Sequence, residues 1–135
     1  MTTKGERLAH ANAVLRAMGS YGRRFFYSSR HDRYAELILD DRGRCRLIDE
    51  CSGKSVWLDE NGKWRGFTNG GTCRAIVADL ARYVRTGQKT RNHFGPWPEW
   101  ICDGDLWGYG DDAGKVRAAL LNNPAVTVSA PAMSN

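Results

Sequence analysis

The chain contains no apolar run near the length of about 18 residues that a membrane-spanning helix requires. Its first ten residues, MTTKGERLAH, have no apolar core of the kind that marks a secretory signal, which predicts a soluble, cytoplasmic protein. Cysteine is sparse and poorly spaced for zinc. Cys45, Cys51, Cys73 and Cys102 are separated by 5, 21 and 28 residues, whereas zinc-binding cysteines come in tight pairs such as C-x2-C. Reduced thiols filling small core positions are therefore expected, with no metal and no cofactor. Neither a Walker lysine nor a G-x-G-x-x-G pattern is present, which argues against a nucleotide-hydrolysing loop. Acidic residues are the minority, at 15 against 20 basic ones, and this weighs against imitation of DNA.

Arginine is abundant: 15 of the 20 basic residues are Arg, the side chain whose planar fork suits phosphates, carboxylates and flat rings. The charge is also uneven. Residues 1–92 carry 18 basic against 10 acidic side chains, and residues 93–135 carry 2 against 5. A basic body with an acidic end points to nucleic acid or an acidic protein face as partner. With 41% hydrophobic and 26% charged residues over 135 positions, the composition fits one globular domain.

The pattern along the chain predicts an α+β fold. Residues 6–19 read as a helix, with Leu8, Ala11, Val14, Leu15 and Met18 on one face, Asn12 and Arg16 off it, and Gly19 as its stop. Short β-prone runs follow at 23–29, 34–40, 44–50, 55–60 and 63–68, separated by turn residues. In RCRLIDE, Cys45 and Leu47 share one face while Arg44, Arg46 and Ile48 share the other. Asn61-Gly62 predicts a type I′ hairpin joining the last two runs, so the expected sheet is an antiparallel meander of four or five strands. A second helix is expected from an N-cap at Thr72 to Gly87, with Cys73, Ile76, Val77, Leu80 and Val84 facing the core. Its far side then shows solvent a ridge of Arg74, Arg82 and Arg85. A short third helix spans 112–121, started by Asp111 or Asp112. The domain is expected to run from residue 1 to 123, with 124–135 a flexible tail.

Three stretches carry candidate chemistry. Ser28, Ser29, His31 and Asp32 are the one compact set with nucleophile, base and acid, but adjacent strand residues point to opposite faces and make a poor triad. Asp103, Asp105, Asp111 and Asp112 suggest calcium, yet Gly114 stands where an EF-hand loop counted from Asp103 requires glutamate. Gly70 and Gly71 lead into the second helix, where free backbone N–H groups beside Arg65 and Arg74 make either an anion contact or a plain turn. The segment GPWPEWICDGDLWGYG (95–110) holds three of the five tryptophans. There Trp100, Ile101 and Leu106 are expected to cover the open face of the meander. Trp97, stiffened by Pro96 and Pro98, is the ring expected outside, available to a partner.

The blocks GKWRGFTNGGT (62–72), LARYVRTG (80–87) and GPWPEWICDGDLWGYG, taken in order, resemble those of small proteins of proteobacterial plasmids and integrative elements. The resemblance covers about residues 25–121. It implies a genomic setting and carries over no catalytic residue. On these grounds the expected function is non-enzymatic: an accessory protein that binds a host or element complex, such as an anti-CRISPR-like inhibitor of host defence. The alternative is a nucleic-acid-binding module that sets Arg23, Arg24, Arg65 and the helix ridge against phosphates and exposed aromatics against bases.

Overall fold

The computed structural model describes residues 2–59, 61–91, 97, 99–102 and 104–126. The expectations for Glu60, Pro96, Pro98, Asp103 and the tail from residue 127 lie outside these residues.

Helix α1 spans Lys4–Ser20. It starts where the sequence supplies a capping box: Thr3 Oγ1 accepts the Glu6 N–H at 3.1 Å and Glu6 Oε1 accepts the Thr3 N–H at 2.7 Å, satisfying two donors that a helix start otherwise leaves open. Gly19 does not end the helix. It is buried against Tyr34, whose ring would lie 2.9 Å from a Cβ placed there.

The strands are shorter than their β-prone runs, and the meander has three strands rather than four or five. Strands β1 (Tyr27–Ser28) and β2 (Arg33–Tyr34) form a two-residue ladder, while β3 (Glu36–Leu39), β4 (Cys45–Ile48) and β5 (Ser55–Trp57) form a separate antiparallel meander. Leu37, Leu47 and Val56 stand opposite one another across the meander and are wholly buried. Ile38, Arg46 and Trp57, one residue along each strand, form the corresponding outward row. The expected fifth run at 63–68 is not a strand. Neither Asn61 nor Gly62 takes the positive φ of a type I′ turn, and Gly66 at φ 91° breaks the run after Trp64. The chain turns inward there instead, burying Trp64, whose Nε1 donates to Asp59 O at 2.9 Å.

Helix α2 spans Gly71–Thr86, with Gly70 rather than Thr72 as its N-cap and Gly87 closing it at φ 80°. Its buried face, Cys73, Ile76, Val77, Leu80 and Val84, is the predicted one. The short helix α3 (Gly104–Trp107), a 3-10 turn (Gly110–Asp112) and α4 (Ala113–Leu121) complete the order. Helix α1 packs against α2, β3 and α4, while α2 also reaches β4. The core is therefore sealed on one side of the meander only. Asn12, expected off the core face, pairs with both backbone groups of Leu37, at 2.7 and 2.9 Å, and so occupies the edge of β3. Residues assigned to the tail extend the packing, since Ala125 and Val126 are buried and Ala125 O accepts the Thr90 N–H at 2.9 Å.

The tryptophan segment does not cover the outer face of the meander. Trp97 and Trp107 are each 2% exposed, against the expectation that Trp97 stands outside. Trp100 meets Trp97 and Trp107 at centroid distances of 6.2 and 5.6 Å, and Trp107 meets Phe25 edge-on at 5.2 Å. Trp107 O accepts the Arg23 N–H at 3.0 Å, and Trp107 Nε1 donates to Trp100 O at 3.0 Å. These rings close the end of α1. Ile101 joins the core, but Leu106 is exposed, contrary to its expected role as cover.

Candidate functional site

Among the described residues nothing covers the outer row of the meander, where Trp57 is 43% exposed, and the wall between β5 and α2 stays open. Arg74, Ala78, Arg82 and Arg85 recur at helical spacing along one side of α2, and Ala75, Ala78 and Ala81 are too small to fill the space between the arginines. Leu58 and Trp64 form the opposing wall. The hollow between them is about 270 Å³ and is also lined by Asp79 and Arg91. Arg74 stacks on Trp64 at 4.5 Å and donates to Gly62 O at 2.8 Å, which pins the 61–64 turn to the helix. Arg82 donates to Gln88 and to Lys89 O, so it is braced along the wall. Asp79 lies 3.9 Å from the Arg91 Nε and accepts the Arg91 N–H.

A second hollow, about 590 Å³, continues across Leu58 and Arg85, which line both. Lys4, Arg42, Arg44 and Trp57 surround it. Lys4 Nζ donates to Gly43 O at 2.7 Å, fixing the β3–β4 turn. Arg44 and Arg46 stack over Trp57 at 4.7 and 4.5 Å, and the Nε of each bonds Asp40 Oδ2 at 3.0 Å. The Arg44 N–H, with the Arg46 guanidinium and the Arg42 N–H, holds the Asp40 carboxyl well below its usual range. Trp57 nevertheless stays 43% exposed. The two hollows adjoin at Leu58 and Arg85, and along this trough the described residues present seven cationic side chains, Lys4, Arg42, Arg44, Arg74, Arg82, Arg85 and Arg91, against Asp59 and Asp79.

The trough brings together Arg74, Arg82 and Arg85, as the spacing predicted, although Arg74 and Arg82 are half-buried wall rather than a free ridge. It does not take in the other predicted binding residues. Arg65 is exposed in the 63–68 turn. Arg23 and Arg24 lie in the connection from α1 to β1, where Arg24 stacks on Tyr27 at 4.4 Å. Gly70 and Gly71 are exposed, but the chain's own carboxylates approach this helix start. Asp49, fully buried, accepts from the Thr68 N–H and hydroxyl and from the N–H groups of Cys51 and Ser52. Glu50 accepts both bonds of the Asn69 amide, at 2.8 and 3.1 Å, and burial pushes its carboxyl above the usual value.

Sequence reasoning missed Asp49, Glu50 and the Trp57 platform. A signal for the platform existed: in the run 55–60 strand alternation sets Trp57 opposite to its apolar neighbours Val56 and Leu58, so one of the two faces had to carry an indole.

Catalytic arrangements find little footing. Ser28 Oγ accepts the His31 N–H at 3.3 Å and Asp32 accepts the Tyr27 hydroxyl at 2.6 Å, so both serve the turn. Burial raises the Cys45, Cys73 and Cys102 thiols to about 11, about 12 and about 11, which keeps them protonated. Cys51, by contrast, is exposed and not a core filler. Asp112 lies at the start of α4 but pairs with Lys115 at 3.3 Å and makes no side-chain cap. Among the described residues, no group of three or more His, Cys, Asp or Glu is arranged to hold a metal, and no helix is long and apolar enough to cross a membrane.

Fold and site together define a small α+β protein whose open feature is an arginine-lined trough. The sequence model of one protein family, described as YoqU, matches residues 2–119, and the chain belongs to the YoqU family. No curated protein and no solved structure matches the chain.

Proposed function

We propose that the chain acts by binding, as a non-enzymatic accessory protein of a mobile genetic element, and that its trough engages the nucleic acid of a nucleoprotein complex, a host defence assembly being the best candidate. The observation that carries this reading is the trough itself: among the described residues, seven cationic side chains against two acids line two adjoining hollows, with arginine guanidiniums braced by Trp57, Trp64 and Asp40. Braced arginines lose little further freedom when a phosphate arrives. The genomic setting is supported by the ordered blocks at 62–72, 80–87 and 95–110.

Fluorescence anisotropy of labelled single-stranded DNA, RNA and duplex tests the reading. Arg85, exposed and common to both hollows, is the variant of choice. Arg85→Gln is expected to weaken binding about tenfold and to reduce the slope of log affinity against log salt by about one. Failure of all three nucleic acids to bind near physiological salt would sink it. A second reading then takes its place, an acidic face of a defence protein, favoured by the same arginine forks, which suit carboxylates as well as phosphates.

A further inference from the structure

The two halves of the trough are chemically unlike. In the α2 half, four arginines surround a single carboxylate among the described residues, and the ring described there, Trp64, is only 7% exposed. That half offers charge and hydrogen-bond donors but no open flat surface. In the β-meander half, Trp57 is 43% exposed and stands beside half-buried Leu58. Arg44 and Arg46 have already stacked on it, and Asp40 holds both guanidiniums at 3.0 Å. The platform is thus assembled before any ligand arrives, so stacking on it orders few side chains.

Resting on the binding reading above, we infer that the trough takes single-stranded nucleic acid, with phosphates along the α2 arginines and an unpaired base on the Trp57 platform. Three observations favour this ligand. The cations line a concavity rather than a raised face, and a duplex, whose phosphates ride on the outside of a stiff convex cylinder, reaches recessed donors poorly. An unpaired strand can turn phosphates and bases into one channel, the usual pairing of basic groove and aromatic ring in single-strand binding. Arg85 lies at the junction, so phosphate contact and base stacking fall on adjacent stations of one strand. An acidic peptide would satisfy the arginines but leave the indole unused.

The test uses the full chain with three probes: a short oligothymidylate, an abasic phosphodiester of equal length and a hairpin duplex. Trp57 is the most exposed tryptophan described, so its emission is the one a stacked base reaches first. Oligothymidylate is expected to quench intrinsic emission and the abasic strand is not, and Trp57→Phe should abolish that quench. Trp57→Ala is expected to weaken oligothymidylate binding about 5- to 100-fold while changing abasic binding less than about twofold. Trp57→Phe keeps a ring, and its retained partial affinity separates loss of stacking from loss of fold. Equal binding of thymidylate and abasic strands, unchanged by Trp57→Ala, would overturn the inference and leave the polyanion reading intact, as would a preference for duplex. No binding to any probe would remove both.

Discussion

Two regions of this molecule hold four of its five tryptophans, and they use them oppositely. At the end of α1, Trp97, Trp100 and Trp107 pack together, Trp107 also meets Phe25, and the Trp107 indole N–H is spent on the backbone oxygen of Trp100. On the meander, Trp57 has no covering element and takes two arginines instead. The difference lies in what arrives to cover the ring. A loop rich in glycine and tryptophan collapses on the nearest apolar opening, whereas a strand residue faces whichever side the pleat dictates. Tryptophan density is accordingly a poor guide to which rings stay open, and strand parity is a better one.

The sharpest way to break this comparison is to truncate one ring from each region. Trp107→Ala removes a 2% exposed ring and its bond to Trp100 O, and is expected to cost about 3–5 kcal/mol in chemical denaturation. A loss under about 1 kcal/mol would mean that the cluster is decoration rather than core. Trp57→Ala, by contrast, should cost only about 0.5–1 kcal/mol, the worth of a partly exposed guanidinium stack. Were the two losses equal, the outer platform would be structural and the contrast would fail.

A smaller effect separates the regions by pH. The tryptophan end is held by apolar packing, but the approach to α2 is held by buried Asp49 and Glu50. Because burial raises the Glu50 carboxyl above its unfolded value, the folded state holds that proton more tightly. Its contribution to stability is fully present below the ordinary glutamate value of 4.5 and is lost as pH rises through the raised one. The stability difference between wild type and Glu50→Gln is therefore expected to fall as pH climbs above 4.5, read by melting temperature across that range. A difference that stays flat with pH would show the carboxylate to be better solvated than its burial implies.

Much of this architecture was legible in the sequence, because long periodic signals survive tertiary context. The buried stripe of α2 and its Gly87 terminus follow from spacing alone, as does the inward pair Cys45 and Leu47. What was not legible depended on competition between distant groups. Asn61-Gly62 has the composition of a hairpin, but Trp64 gains more from burial under Arg74 than its run gains from a fifth strand. Trp97 sits in a segment whose prolines suggest exposure, yet it packs against Trp100. The arginine face was visible on the helical wheel, but its far wall comes from Leu58 and Trp64, beyond β5, and only the register between β4 and β5 sets Trp57 beside Arg46.

The pairing of Asn12 with Leu37 has a consequence for how the molecule behaves in company. A side-chain amide occupying both backbone groups of an edge residue closes the β3 side to strand addition. The other outer strand of the meander, β5, is only three residues long and carries Trp57 at the rim of the trough. Growth of the meander by strand addition is thus confined to its β5 edge, the one beside the trough, so a chain pairing there and a ligand in the trough would compete for the same ground.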